Sequence, residues 1–159
     1  MHRVGIGFDA HKFKKGQKLI LGGVEIPFEY GLEGHSDADV LTHAICDAVL
    51  GAVGERDIGS HFPDTDPRYK GVSSLTLLRE VLKLSYSKGF IVENIDSVVV
   101  CEKPNLSQYV SQIKKVLSTV IEVPEESLGI KATTSDGMGF TGRGEGMAAY
   151  AVALMKIAD

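Results

Sequence analysis

Met147-Ala148-Ala149-Tyr150-Ala151-Val152-Ala153-Leu154-Met155-Lys156-Ile157 admits two readings, and the choice between them sets the class of the whole chain. Its alanine content suits a helix. Its periodicity does not: Ala149, Ala151 and Ala153 alternate with Tyr150, Val152 and Leu154, and residues two apart share one face of a strand. The segment reads as a strand whose small-residue face packs tightly against a neighbour. Working outward, Val4-Gly5-Ile6-Gly7-Phe8 alternates apolar with small, as a strand with one crowded face does. Leu19-Ile20-Leu21 and Val24-Glu25-Ile26 flank Gly22-Gly23 and predict a hairpin with a Gly-Gly turn. Ser36 reads as a helix N-cap, with Asp37 and Asp39 in the first turn where the helix dipole favours negative charge. Val40, Leu41, Ala44, Ile45, Ala48 and Val49 form the apolar stripe of that helix, closed near Gly51 and Gly54. A second helix is predicted from about Ser73 to Ser87, with Leu77, Leu78, Val81 and Leu84 inward and Gly89 as its stop. Asp96 to Cys101 is a buried strand, Leu106 to about Val120 a third helix, and Leu128 to Thr134 a strand. The sum is an α+β fold, a two-layer sandwich of mixed β-sheet with helices on one face.

The chain has 159 residues, and no linker, low-complexity segment or internal repeat divides it, so residues 1–159 read as a single domain. With 17 Lys plus Arg against 21 Asp plus Glu, the net charge is −4. That excludes a non-specific nucleic-acid binder, because phosphate neutralisation needs a basic face. No apolar run reaches the roughly 18–20 residues of a bilayer span, so no membrane partner is expected. Met1-His2-Arg3-Val4-Gly5 runs straight into patterned sequence with no signal or transit peptide. Cys46 and Cys101 are too few for a disulfide scaffold and fit a reducing compartment, so a cytoplasmic protein is expected. Glycine is the outlier: 18 residues, about 11% against a usual ~7%. The backbone must therefore bend tightly, or approach something closely, at many points.

Four segments carry candidate chemistry. Asp9 and His11 are two apart on the first strand, so they share a face and can share one ligand; an oxygen with an imidazole suits Zn²⁺. The same pair also fits a solvated strand edge. In His35-Ser36-Asp37-Ala38-Asp39, followed by His43, the spacing of Asp39, His43 and Asp47 puts all three along one helix face. A carboxylate one turn away could hold the second ring nitrogen of His43. A half-buried histidine beside solvated acids fits equally. Asp9, His11 and His43 together would make three protein ligands with an open position, the catalytic and not the closed structural arrangement. Cys46 reads as a core residue. Asp57-Ile58-Gly59-Ser60-His61-Phe62-Pro63-Asp64-Thr65-Asp66-Pro67 is rich in turn formers and carries three carboxylates, which could accept hydrogen bonds from a polyol or simply be solvated. His61 reads as an unpaired surface residue. Finally, Lys131-Ala132-Thr133-Thr134-Ser135-Asp136-Gly137 and the glycines to Gly146 combine hydroxyls, a carboxylate and flexible backbone amides, which suit phosphate and a bridging Mg²⁺. The run lacks the P-loop ending and no helix follows it as in a dinucleotide fingerprint; a merely flexible loop is the other reading.

Read together, six segments in order resemble the 2-C-methyl-D-erythritol 2,4-cyclodiphosphate synthase family of the non-mevalonate isoprenoid pathway. They are Gly7-Phe8-Asp9-x-His11, Gly34-His35-Ser36-Asp37-x-Asp39-Val40 with His43, Asp57-Ile58-Gly59, Phe62-Pro63-Asp64-Thr65-Asp66, Lys131-Ala132-Thr133-Thr134, and Gly139-Phe140-Thr141-Gly142-Arg143-Gly144-Glu145-Gly146. The resemblance implies a phosphorus–oxygen lyase that cyclises a CDP-linked methylerythritol phosphate and releases CMP. It implies Zn²⁺ on Asp9, His11 and His43, and Mg²⁺ or Mn²⁺ at Asp136 with Thr133 and Thr134 on the diphosphate. His35 and Ser36 would meet phosphate. Asp57, Gly59, Phe62, Pro63, Asp64 and Asp66 would meet the methylerythritol, and Pro104, Asn105, Leu106 and Ala132 the cytidine. It further implies a homotrimer with interfacial active sites, and an isoprenoid-like ligand in a three-fold cavity near Phe8, Phe140, Arg143 and Glu145. Two positions depart from the family pattern: Asp136 stands where Glu is common, and Asn105 where Lys is common. A zinc hydrolase and a non-catalytic trimeric binding module are the alternatives; the double threonine, glycine run and acidic loop weigh against the first, and the intact ligands against the second.

Overall fold

The computed structural model describes residues 1–159. Residues Gly146–Ile157 do form a strand, and it is the central one. It pairs antiparallel with β1 (His2–Lys15) on one side, from His2 opposite Lys156 to Lys12 opposite Gly146. On its other side it pairs antiparallel with β5 (Phe90–Val100), with an irregularity between Val92 and Asn94. β4 (Tyr30–Leu32) extends the sheet beyond β1, and β6 (Leu128–Thr133) runs parallel to β5 at the far edge. With the central strand as β7, the order is β4-β1-β7-β5-β6, a mixed sheet. β2 (Leu19–Leu21) and β3 (Val24–Ile26) form a separate hairpin. Gly22 and Gly23 both have positive φ, 56° and 77°, as a two-residue turn matching strand twist requires.

Three helices make the second layer: α1 (Val40–Ala52), α3 (Ser74–Ser87) and α4 (Val110–Ile121). α1 packs on β1, β7 and α3, while α3 meets β5 and α4 meets β6. The contact between α1 and the sheet is made by small residues on both sides. Ala149, Ala151 and Ala153 are fully buried, as are Ala44 and Ala48 of α1. A Cβ added to Gly5 would overlap the Ala48 carbonyl oxygen, and one added to Gly7 would overlap that of Ala44. Backbone therefore lies on backbone here, which only glycine allows. Larger side chains of α1, Leu41, Ile45 and Leu50, are fully buried in the core, and so is Cys46. The opposite face of the sheet is uncovered and apolar: Val4, Ile6, Phe8, Tyr150 and Val152 are all exposed, Ile6 by 70%. No helix is long and apolar enough to cross a membrane.

The structure corrects several expectations. α1 starts at Val40 and its N-cap is Asp39, not Ser36, so no acid sits in its first turn. Asp39 is chosen because its carboxylate does two tasks: it accepts from the Thr42 N–H (3.0 Å) and hydroxyl (2.7 Å), and from the N–H groups of Gly22 (2.9 Å) and Gly23 (2.8 Å). The third helix begins as a 3₁₀ turn over Ser107–Tyr109, whose first amide is capped by Asn105 Oδ1 at 3.0 Å. Three short elements escaped the periodicity: β4, α2 (Ile58–His61) and α5 (Gly139–Gly142). Each spans about one turn or one pairing, too short for any period to register.

The close approach of α1 gives a test. Gly7→Val forces a branched side chain into the Ala44 carbonyl and is expected to cost about 3 kcal/mol or more. Gly51→Ala, where the nearest atom to an added Cβ is 3.8 Å away, should instead stabilise by up to ~1 kcal/mol through helix propensity. Denaturant midpoints of the two variants measure both effects; equal tolerance would refute the packing argument.

Candidate active site

Alternation along β1 puts Asp9 and His11 on the same side as Gly5 and Gly7, facing α1. The close seating of α1 then brings His43, next to Ala44, against them. Asp9 Oδ2 lies 2.7 Å from His11 Nε2 and 3.0 Å from His43 Nδ1, and the two nitrogens are 3.3 Å apart. All three residues are half-buried, and their ligand atoms lie within 4.8 Å of one another. Ligands about 2.0–2.1 Å from a tetrahedral ion stand ~3.3 Å apart, so two imidazoles and a carboxylate in this spacing fit a divalent cation such as zinc. His11 Nδ1 donates to the Glu33 carbonyl at 2.9 Å, which leaves Nε2 as its ligand atom. Gly34 presses on that ring: an added Cβ would stand 3.2 Å from His11 Cε1.

The second nitrogen of His43 is not held by Asp39 or Asp47. Asp39 is turned away into the hairpin, and Asp47 Oδ1 accepts from the Ile58 N–H at 2.7 Å. His43 Nε2 instead meets Ser74 Oγ at 2.8 Å and Ser36 Oγ at 3.0 Å. Ser74 comes from the start of α3, and no local spacing could have announced it. Burial pushes the Asp9 pKa up, but hydrogen bonds from His11 and His43 outweigh it and bring it down to about 2. Burial likewise lowers the His11 pKa, and Asp9 more than reverses this, so the imidazolium persists above its ordinary range.

The acidic segment lies beside this cluster. Asp57 caps α2 and accepts from Ser60 Oγ at 2.7 Å, which lowers its pKa. Gly59, Pro63 and Asp64 are exposed, and Phe62 packs edge-on to Tyr69 with ring centroids 5.3 Å apart. Asp66 is not a free acceptor: Arg68 grips its carboxylate at 2.7 and 3.0 Å and lowers its pKa. His35 Nε2 donates to the Asp66 carbonyl at 2.9 Å, while its own carbonyl accepts from Gly71 N–H at 2.7 Å, so His35 holds the C-terminal end of the segment and the turn that follows it. His61 is half-buried and not a surface residue: its Nε2 lies 3.4 Å from Glu55 Oε2 but makes no hydrogen bond, and Glu55 pairs with Lys88.

The glycine-rich segment is organised by a residue the sequence did not single out. Glu102 Oε1 accepts from the N–H groups of Ser135 (3.1 Å) and Gly137 (3.2 Å). Two amides that read as phosphate donors are thus already engaged. Between them Asp136 adopts φ 54°, with its carboxylate near Thr134 Oγ1 (3.5 Å) and exposed. Thr133 and Ala132 are exposed on β6, and the Thr133 carbonyl accepts from Cys101 N–H at 3.0 Å. That bond brings the Pro104-Asn105-Leu106 segment alongside, with Leu106 buried. Phe140 and Glu145 line a cleft of about 840 Å³ with His11, Phe13 and Tyr30. Arg143 pairs with Glu145, whereas Phe8 lies on the uncovered sheet face against Tyr150.

These residues fall into two groups. Asp9 pairs with Ala149, Ala149 with Val99, and Val99 with Ala132. Three strand spacings separate Asp9 from Ala132, about 14 Å. Asp9, His11, His35, Ser36, His43 and the 57–66 segment form one cluster; Pro104 to Leu106 and Ala132 to Asp136 form another across the sheet.

Comparison with known proteins extends over nearly the whole chain. The model of the YgbB family matches residues 2–156. The chain is 55% identical over 154 residues to the 2-C-methyl-D-erythritol 2,4-cyclodiphosphate synthase of Syntrophus aciditrophicus (strain SB), covering 97% of each. It is 55% identical to the synthase of Caldicellulosiruptor bescii, covering 98% of this chain and 99% of that one. Among solved structures it resembles the bifunctional IspDF from Campylobacter jejuni (TM-score 0.96, 38% identity), covering 100% of this chain and 43% of that protein. It also resembles a CDP-bound 2C-methyl-D-erythritol-2,4-cyclodiphosphate synthase (TM-score 0.90, 35% identity), covering 97% of this chain and 100% of that one.

The pairing of Asp9 with His11 has a pH signature in the metal-free protein. The Asp9 contribution is present above the ordinary carboxylate range and is lost as pH falls towards 2; the His11 contribution is present below the ordinary histidine value and is lost as pH rises through the raised one. The pair therefore stabilises most between about pH 4 and about pH 6.5. Asp9→Asn should lower the His11 pKa, read from its ring-proton shifts in a titration. An unchanged His11 midpoint would refute the pairing.

Proposed function

The chain belongs to the YgbB family, and its relatives are 2-C-methyl-D-erythritol 2,4-cyclodiphosphate synthases; from that membership we propose that it performs their reaction. It converts 4-diphosphocytidyl-2-C-methyl-D-erythritol 2-phosphate to 2-C-methyl-D-erythritol 2,4-cyclodiphosphate and CMP, as a phosphorus–oxygen lyase of isoprenoid biosynthesis. The observation that carries the reading is the convergence of Asp9, His11 and His43 within 4.8 Å.

The 2-phosphate attacks the β-phosphorus of its own molecule, the bond from that phosphorus to the α,β-bridging oxygen breaks, and CMP leaves. Nucleophile and electrophile are already tethered, so the protein must chiefly fold the substrate into line and offset the repulsion between two anions. Asp9, His11 and His43 would hold Zn²⁺, and Asp136 would hold Mg²⁺ or Mn²⁺. Cations bound there would supply positive charge to offset that of the diphosphate and the departing CMP. His35 and Ser36 bind the phosphate end. Asp57, Gly59, Phe62, Pro63, Asp64 and Asp66 enclose the methylerythritol, with Asp66 held by Arg68. Pro104, Leu106 and Ala132 form the cytidine pocket. Asn105 there caps the following turn and brings no charge. Thr133 and Thr134 meet the diphosphate, on a segment that Glu102 pre-shapes.

One substrate must reach both clusters, which lie about 14 Å apart in one chain. A homotrimer with active sites between subunits, each chain acting as one catalytic domain, joins the first cluster of one copy to the second cluster of the next. The uncovered apolar face of Val4, Ile6, Phe8, Tyr150 and Val152 supports such an assembly, since large apolar patches mark interfaces. The cleft by Phe140 and Glu145 then lies towards the three-fold axis and offers an isoprenoid-like ligand an aromatic wall. Both cysteines are free thiols, in keeping with a cytoplasmic enzyme.

Two measurements test this reading. His43→Ala should lose bound metal and slow CMP release by about 100-fold or more, with no ¹⁸O from water entering the product of the parent enzyme. Full metal content and full turnover in that variant, or solvent oxygen in the product, would overturn it. Ile6→Lys should convert the trimer to smaller species in light scattering after size exclusion; a parent that is monomeric throughout would remove the interfacial site.

A further inference from the structure

His43 is steadied from outside its own helix by Ser74 at the start of α3, which is in turn held by Asp37 in the segment before α1. We infer that Asp37 and Ser74 are positioning residues that dictate which nitrogen of His43 faces the metal centre, an inference that rests on the metal reading above.

The argument is one of hydrogen-bond polarity. Ser74 is fully buried, so water cannot satisfy its hydroxyl. Asp37 Oδ2 accepts from the Ser74 backbone N–H at 3.0 Å, and Asp37 Oδ1 is bonded to the Ser74 hydroxyl. A carboxylate only accepts, and a serine hydroxyl has one proton to give. Ser74 must therefore donate to Asp37, and its oxygen is left as an acceptor towards His43 Nε2, 2.8 Å away. Nε2 then has to carry the ring proton. With a cation bound, Nδ1 would offer it a lone pair from its place 3.0 Å from Asp9 Oδ2 and 3.3 Å from His11 Nε2, in place of the hydrogen bond it gives Asp9 without one. The opposite tautomer would face two acceptors against each other in a dry site, and a buried acceptor without a donor is costly. Ser36 Oγ, at 3.0 Å, cannot impose this polarity: it accepts from Ala38 N–H, and its own proton has no fixed acceptor. Asp37 is itself anchored, its N–H donating to the Val72 carbonyl at 3.0 Å and its Oδ1 accepting from Asp39 N–H at 3.2 Å. The chain Asp37–Ser74–His43 thus plays the part that a single carboxylate plays behind many metal-bound histidines.

The test is zinc affinity of the full chain by chelator competition, for the parent, Ser74→Ala, Ser74→Thr, Asp37→Asn and His43→Ala. Ser74→Ala should weaken zinc by about 10- to 100-fold. Ser74→Thr keeps the hydroxyl and should recover most of the affinity. Asp37→Asn, whose amide can donate to Ser74 and so reverse the polarity, should weaken it as well. A merely structural role would lower the melting temperature of the metal-free protein. The inference requires that value to stay near the parent in Ser74→Ala while the zinc-induced rise shrinks. If Ser74→Ala and Asp37→Asn both bind zinc as tightly as the parent while His43→Ala does not, this inference fails and the metal reading stands. If the parent and His43→Ala bind alike, the metal reading fails and takes the inference with it.

Discussion

The seating of α1 directly on the backbone of β1 is the constraint on which the rest of the structure depends. Gly5 and Gly7 on the strand meet Ala44 and Ala48 on the helix, and no Cβ fits between the glycines and the helix carbonyls. Two of the three clustered side chains come from β1 and the third from α1, so the depth of this contact fixes the span between them. A methyl group at either glycine would lift the helix, and His43 would move away from Asp9 and His11 together with it. Packing and site geometry are one requirement here.

The same helix is fixed lengthwise by a buried acid. Asp39 has no exposed surface, yet it receives four hydrogen bonds, two from the hairpin amides of Gly22 and Gly23 and two from Thr42. Burial, with the nearby Asp37 charge, drives its pKa up, and the hydrogen bonds from Thr42 and Gly23 pull against that rise. One carboxylate thereby sets the start of α1 and docks the β2–β3 hairpin onto it.

The sequence made some of this legible and hid the rest for identifiable reasons. The alternation of Ala149, Ala151 and Ala153 with larger residues was enough to place β7, and the two-residue spacing of Asp9 and His11 enough to put them on one face, because both are local periodicities. His43 was legible as a partner from its place beside an apolar stripe. Its support was not: Asp37 and Ser74 are 37 positions apart, and their bond exists only once α3 has docked. Glu102 was missed for the same reason, since its partners Ser135 and Gly137 lie on a different loop. Ser36 was misread as the cap because several short polar residues in a row all satisfy the local cap rule, and the hairpin amides decide among them. Local rules find ligands and strands; the groups that orient ligands are set by tertiary contact.

β7 also explains why the fold leaves a face uncovered. Its inward residues are alanines, which let α1 approach, and its outward residues, Tyr150 and Val152, are large, apolar and exposed beside Ile6 and Phe8 of β1. A strand serving only a monomer would carry polar residues on its outward face. Here the outward side chains are as apolar as a core, although nothing within the chain covers them. The two clusters of polar side chains meanwhile sit on strands separated by β5 and β7, about 14 Å apart by strand spacing. Both facts have one resolution. The uncovered face and both clusters belong to the same sheet, so in the proposed assembly the association that buries the face would also bring clusters of neighbouring copies together.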